Sequence, residues 1–227
     1  MNLALFDLDH TLLPIDSDYE WGQFLVRIGA VDADAFEKSN AEWFAQYQAG
    51  TLDPVKYLEF SFGTLAKFPR KQLDAWHAQF MTEVILPTIT PQARDLLKQH
   101  HDADDLVAIV TATNSFITEP IAKEFGVDFL IATDPETTDD GEITGKLGVE
   151  LRNTPTYGPG KVIHTKAWLE TMDMTLDSFK RSFFYSDSHN DLPLMKLVTD
   201  PIATNPNAKL KAHAEAHGWE ILDLFDH

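Results

Sequence analysis

The apolar positions of this chain change period twice. Leu3-Ala4-Leu5-Phe6 is an unbroken apolar run, the pattern of a strand buried on both faces, and predicts a strand over 2–6. The spacing then becomes helical. Ser17 and Glu20 have capping-box spacing, and Trp21, Phe24, Leu25 and Ile28 follow before Gly29. Phe36, Trp43, Phe44 and Tyr47 predict a second helix closed by Gly50. Asp53-Pro54 opens a third carrying Tyr57, Leu58, Ser61, Phe62 and Leu65, and Leu73, Trp76, Phe80 and Val84 mark a fourth. Residues 14–86 therefore read as all-helical and rich in aromatics.

After Pro87 strands and helices alternate. Thr90-Pro91 opens a helix with Ala93, Leu96 and Leu97, and Leu106-Val107-Ala108-Ile109-Val110 is a buried strand. A helix over 116–125 ends at Gly126, a strand follows at 129–132, and Asp140-Gly141 predicts a hairpin turn. Further helices are expected near 161–171, over 192–198 and over 207–217. They alternate with strands at Phe183-Phe184-Tyr185, Ile202-Ala203 and 220–222. Alternation of this kind implies an α/β fold, a doubly wound parallel sheet covered on both faces. The helical block interrupts it after the first strand. The expected architecture is a core of 1–13 plus 87–227 with an all-helical cap inserted at 14–86, and active sites often lie between such units.

Composition narrows the partners. At 227 residues the chain suits one sizeable domain or a core with a smaller insert. A net charge of −18 argues against nucleic acid or an anionic membrane surface. An anionic substrate would need local help from a metal, backbone N–H groups or a few cations. The absence of cysteine excludes disulfides, thiol catalysis and thiolate metal sites. The opening lacks a basic segment and Asp7 interrupts its apolar run, so it does not read as a signal peptide, and no run approaches a membrane span. The expected compartment is the cytoplasm.

The candidate chemistry begins where the first strand ends. Asp7 and Asp9 lie just past the apolar run, at the edge where open α/β sheets bind ligands. The pair alone is weak evidence. With 23 Asp and 20 Thr in the chain, chance supplies a D-x-D-x-T in roughly one such sequence in five. Three other segments occupy equivalent positions. Thr111-Ala112-Thr113-Asn114 follows the strand at 106–110, Asp187-Ser188-His189-Asn190-Asp191 follows the strand at 183–185, and Gly158-Pro159-Gly160-Lys161 opens a helix. Bland readings stand beside these. The aspartates would be strand-end caps, Thr111 and Asp191 helix starts, and Lys161 a solvated lysine with Lys166 as its rival. The nine histidines show no metal-binding spacing.

Together, in this order and context, the four segments resemble the motifs of the haloacid dehalogenase-like hydrolase superfamily. The insert after the first motif resembles the C1-cap branch that includes phosphoserine phosphatase. Asp16-Ser17-Asp18-Tyr19-Glu20-Trp21-Gly22 and Gly158-Pro159-Gly160-Lys161 look most like its histidinol-phosphatase-like group. The resemblance implies a Mg²⁺-dependent phosphomonoester hydrolase with a Rossmann-like core. It assigns Asp7 as the nucleophile that forms an aspartyl-phosphate and Asp9 as the acid and base. Thr111, Lys161 and the N–H groups of Leu8 and Ala112 would act on the phosphoryl oxygens. The metal would be held by Asp7, Asp187 and the Asp9 carbonyl, with Asn190 and Asp191 holding its waters or orienting Lys161. A carboxylate attacking a phosphate dianion needs such a cation to offset their repulsion.

The substrate is expected to be a small phosphorylated metabolite, because the cap is too large for a macromolecule. Asp16 or Asp18 would bind a substrate ammonium, with helix capping as the equal rival, and Asn114 also falls among the candidate substrate-binding positions. Arg27 or Arg70 is a candidate for a substrate carboxylate. One or two cap aromatics would form the pocket lid and the rest would be core. An amine-bearing ester such as histidinol phosphate is favoured, with phosphoserine next. A phosphotransferase would use the same residues. A dehalogenase would lack Asp9, and a non-catalytic binding protein would have a broken motif.

Overall fold

The computed structural model describes residues 1–148 and 154–225. Its centre is a six-stranded parallel sheet in the order β3-β2-β1-β6-β7-β8. The strands are β1 (Leu3–Phe6), β2 (Leu106–Val110), β3 (Phe129–Ile131), β6 (Ser182–Ser186), β7 (Asp200–Thr204) and β8 (Glu220–Leu222). All four residues of β1 are fully buried. Leu3 and Leu5 enter one hydrophobic cluster while Ala4 and Phe6 enter the other. This two-sided burial is why the run reads as unbroken rather than alternating. Phe6 pairs with Ile109 of β2 and Tyr185 of β6, so the ends of these three strands lie side by side. The chain winds outward through β2 and β3, then returns to the other side of β1 with β6. The gap between β1 and β6 is therefore a topological switch point, where such sheets bind ligands.

Helices α1 (Ser17–Arg27), α2 (Ala33–Ala49), α3 (Pro54–Leu65) and α4 (Arg70–Phe80) follow β1. The expected capping box at Ser17 is corrected. Asp16 is the N-cap, its carboxylate accepting the N–H groups of Asp18 and Tyr19, and Ser17 is already helical. Gly50 closes α2 in the left-handed region, at φ 70°. The fourth helix does not run unbroken to Val84. A π-helical turn, Met81–Ile85, follows α4 and leads into the short α5 (Leu86–Thr88), with Leu86 N–H bonded to Met81 C=O. Pro87 has no N–H to offer the preceding turn and its ring crowds a carbonyl there, so the register widens before it.

The remaining helices cover the sheet: α6 (Pro91–Asp102), α7 (Ser115–Glu124), α8 (Pro159–Glu170), α9 (Leu192–Met195) and α10 (Ala208–His217). α9 stops earlier than its apolar pattern predicts because the next turn tightens, Leu197 N–H bonding Leu194 C=O at 3.0 Å. Among the described residues no helix is long and apolar enough to cross a membrane.

The expected hairpin forms as β4 (Pro135–Thr137) and β5 (Ile143–Leu147). It lies apart from the main sheet, against helices of the inserted block. Glu142 accepts the first N–H of α4, from Arg70, at 2.7 Å. Gly145 sits at φ 84°, and a Cβ there would come within 3.3 Å of Ala66 Cβ and 3.5 Å of Gly63 Cα. A segment expected in the core thus packs on α3 and α4. We expect Gly145→Ala to destabilise the protein by roughly 1 kcal/mol or more, since it combines left-handed strain with overlap. Urea denaturation measures this, and an unchanged midpoint would contradict it.

Candidate active site

Past Phe6 the chain leaves the sheet and curls back on itself. Leu8 C=O accepts the N–H groups of Thr11, Leu12 and Leu13, and His10 takes a left-handed conformation at φ 57°. This curl sets Asp7 and Asp9 at the switch point. The Thr11 hydroxyl accepts Asp187 N–H at 3.1 Å and so ties the first strand end to the loop after β6.

Lys161 joins three distant segments. Its ammonium donates to Asp7 Oδ1 at 2.8 Å and to Asp191 Oδ2 at 2.7 Å, with all three side chains buried. Ser186 donates its hydroxyl to the same Asp191 oxygen at 2.7 Å. Burial opposes charge on Lys161, but Asp191 and Asp7 outweigh it and hold its pKa above the ordinary value. The rival Lys166 is exposed. Gly160 makes the lead-in possible: a Cβ there would stand 1.8 Å from Pro155 C=O.

Asp9 is held at both oxygens. Oδ1 accepts Ser17 N–H at 2.7 Å, from the first residue of α1, and Oδ2 accepts the Thr113 hydroxyl at 2.7 Å. Thr111 in turn accepts Thr113 N–H at 3.1 Å. Thr113 is a functional neighbour that sequence reasoning passed over. Its signal was its place two residues beyond Thr111.

Asp187 is almost fully buried and its Oδ1 has no hydrogen-bond partner. Burial first, then Asp7 and Asp191, push its pKa well up. Burial lifts Asp7 to about 7, with Asp191 and Asp9 adding to it and Lys161 opposing. Burial, helped by Asp16, lifts Asp9 to about 6. Among the described residues no three His, Asp or Glu side chains form a ready-made metal cage. The donors that exist are Asp7 and Asp187, an orphaned buried oxygen among them. One or two carboxylates completed by backbone and water suit Mg²⁺, so the residues fit that ion.

A cavity opens beside these groups. Asp7, Asp9, Thr111 and Ala112 line it beside the reacting groups, Asp16 and Asp18 add two further carboxylates, and Trp43, Phe44, Tyr47, Tyr57 and Tyr157 bring aromatic rings. Tyr57 donates its hydroxyl to Asp18. Nothing local in the sequence singles out Tyr57; it reaches Asp18 from another helix. Trp21 and Phe24 are core.

Some candidates fall elsewhere. Asn114 is fully buried, caps α7 through Ile117 N–H and donates to Ser61, so it is a structural residue and not part of the cavity wall. Asp191 meets Lys161 and Ser186, the geometry of an orienting group rather than a direct metal ligand. Asn190 lines a neighbouring cavity with Asp187 and His189. Arg27 pairs with Glu83 and Arg70 with Asp74, both outside the main cavity.

A family model described as haloacid dehalogenase-like hydrolase matches residues 4–196. The chain belongs to this family. This hydrolase is 40% identical to a histidinol-phosphatase of Neisseria meningitidis serogroup C (strain 8013), across 98% of this chain and 99% of that one. Its fold matches a crystal structure of a Bordetella pertussis Tohama I protein of unknown function, with TM-score 0.91, 49% identity and 98% of each chain covered. It also matches a substrate-bound phosphoserine phosphatase, at TM-score 0.68 and 18% identity, over 97% of this chain and 92% of that one. The chain is a phosphatase of this hydrolase family.

Two expectations follow. A carboxyl whose pKa is raised in the fold stabilises it fully below the ordinary value of 3.8 and loses that contribution as pH rises through about 6 for Asp9 and about 7 for Asp7. In metal-free buffer Tm should therefore fall between about pH 4 and about pH 7, and Mg²⁺ should raise it more at the higher pH. Calorimetry showing a flat, metal-insensitive Tm would contradict the charge reading. Gly160→Ala should displace the Lys161 loop and lower kcat at least about tenfold; wild-type turnover would show that the loop absorbs the overlap.

Proposed function

We propose that this phosphatase is a Mg²⁺-dependent phosphomonoesterase that hydrolyses a small phosphorylated metabolite through an aspartyl-phosphate on Asp7. The observation that carries it is the Lys161 clamp, which occupies Asp7 Oδ1 and leaves the second oxygen for attack. Asp7, Asp187 and the Asp9 carbonyl would hold Mg²⁺, whose chemistry is to offset charge repulsion and polarise the phosphoryl group.

The chain's own residues do the rest. Asp7 forms a bond to phosphorus as the ester P–O bond breaks, and Asp9 gives its proton to the leaving oxygen. A pKa of about 6 lets Asp9 carry that proton near neutrality. Water then attacks the aspartyl-phosphate, Asp9 takes the water's proton, and phosphate leaves with the Asp7 carboxylate restored. Lys161, Thr111 and the N–H groups of Leu8 and Ala112 neutralise the phosphoryl oxygens. Ser17 N–H binds Asp9 directly, so the helical segment 14–86, acting as the cap, positions the acid as it covers the substrate.

The substrate reading favours an amine-bearing ester such as histidinol phosphate. The likeness to the Neisseria protein supports it, and so do Asp16 and Asp18 on the cavity wall. Phosphoserine comes next.

With Mg²⁺ present, phosphate release from a panel of phosphorylated metabolites should appear and vanish with EDTA. Asp7→Asn should drop turnover to background, and Lys161→Ala should lower kcat by about 10²–10³-fold. Full activity in Asp7→Asn would sink the mechanism. Transfer of phosphate to added alcohols in place of release would identify a phosphotransferase instead.

A further inference from the structure

The wall of the cavity carries two carboxylates, Asp16 and Asp18. Asp16 stands near the reacting groups, with His10 and Asp7 among its titratable neighbours. Asp18 is 9% exposed, lies two residues further into α1, and faces Asp16 and Asp9. Each has one oxygen engaged by the protein. Asp16 Oδ1 accepts Asp18 N–H at 3.1 Å and Tyr19 N–H at 2.9 Å, and Asp18 Oδ2 accepts the Tyr57 hydroxyl.

The cavity wall offers Asp18 no cation. Lys161 is committed to Asp7 and Asp191, and no Lys, Arg or His is among the described residues that line the cavity. A carboxylate in a buried wall with no cation beside it is costly, and a basic group on the ligand would relieve that cost. The surroundings of Asp18 are flat and aromatic. Tyr57 meets Trp43 edge-on, with centroids 5.8 Å apart and planes at 71°, and Phe44 and Tyr47 line the same cavity. Such faces attract planar cations as well as apolar rings.

We propose that Asp18, held in place by Tyr57, is a specificity-determining residue for a second basic nitrogen in the leaving group. In histidinol phosphate, the substrate favoured above, that nitrogen belongs to the imidazole ring. Asp16 takes the amine near the ester, while Asp18 takes the ring nitrogen among the aromatic faces. This rests on the phosphatase reading above and adds the discriminating contact. A substrate carboxylate would meet acidic groups on this wall and be repelled.

The test compares kcat/KM, with Mg²⁺ present, for L-histidinol phosphate (amine and imidazole), O-phosphoethanolamine (amine alone), O-phospho-L-serine (amine and carboxylate) and p-nitrophenyl phosphate. The wild-type protein should prefer the first over the second and third by about a hundredfold. Asp18→Asn should shrink the ratio of the first to the second at least about tenfold, mostly through KM. Tyr57→Phe should shrink it less, because the carboxylate stays but loses its tether. Asp16→Asn should lower both amines together and leave their ratio in place. An unchanged ratio in both Asp18→Asn and Tyr57→Phe, or phosphoserine turned over as well as histidinol phosphate, overturns the proposal. Should Asp18→Asn fail to fold by circular dichroism, Tyr57→Phe alone decides on the same criterion. Turnover of p-nitrophenyl phosphate with unmoved selectivity sinks this inference only, whereas no turnover of any ester overturns the phosphatase reading with it.

Discussion

A lysine ammonium buried between two aspartates is the constraint on which the site depends. Taking a cation and two anions out of water costs several kcal/mol per ion, and only close, well-made pairing offsets it. The Lys161 contacts to Asp7 and Asp191 therefore demand that the end of β1, the loop after β6 and the first turn of α8 meet within hydrogen-bond distance. The parallel sheet meets part of this demand by setting β1 beside β6 in register. The Gly158-Pro159-Gly160 approach meets the rest, by letting the backbone pass against Pro155 where no side chain fits.

What remains is an excess of negative charge. After Lys161 is satisfied, Asp187 has a buried oxygen with no partner, while Asp9, Asp16 and Asp18 line the cavity. Their raised pKa values share one leading cause, desolvation, with each acid adding to the burden of the next. A divalent cation on one side and a basic leaving group on the other would relieve it. The Ser17 N–H bond to Asp9 makes the inserted helices part of the same electrostatic unit. Placement of α1 and orientation of the acid are thereby one structural event.

Elements with strong periodicity were legible from the chain, because burying a stripe or a run leaves few alternatives. β1, β2, α3 and α6 fall where their apolar patterns put them. The misses have local causes. Asp16 outcompetes Ser17 as the N-cap because its carboxylate reaches two N–H groups. The π turn reflects Pro87 acting on the preceding turn. Asn114 looked like a site residue beside Thr111, yet a helix start claims its side chain. Tyr57 and Thr113 were invisible as partners because what they hold lies on other elements.

The kind of chemistry, and the edge of the sheet where it sits, are written in the order of the residues alone. Carboxylates, a threonine and a lysine at strand and helix ends are local facts, and hydrophobic period converts them into positions on an α/β core. That order did not determine which acid meets which partner. Whether Asp191 faces the lysine, whether Asp18 is held by Tyr57, and whether the β4–β5 hairpin sits on the sheet or on the inserted helices depend on contacts between residues far apart in the chain. Only close packing decides those, because charge and shape must be matched at once across several elements.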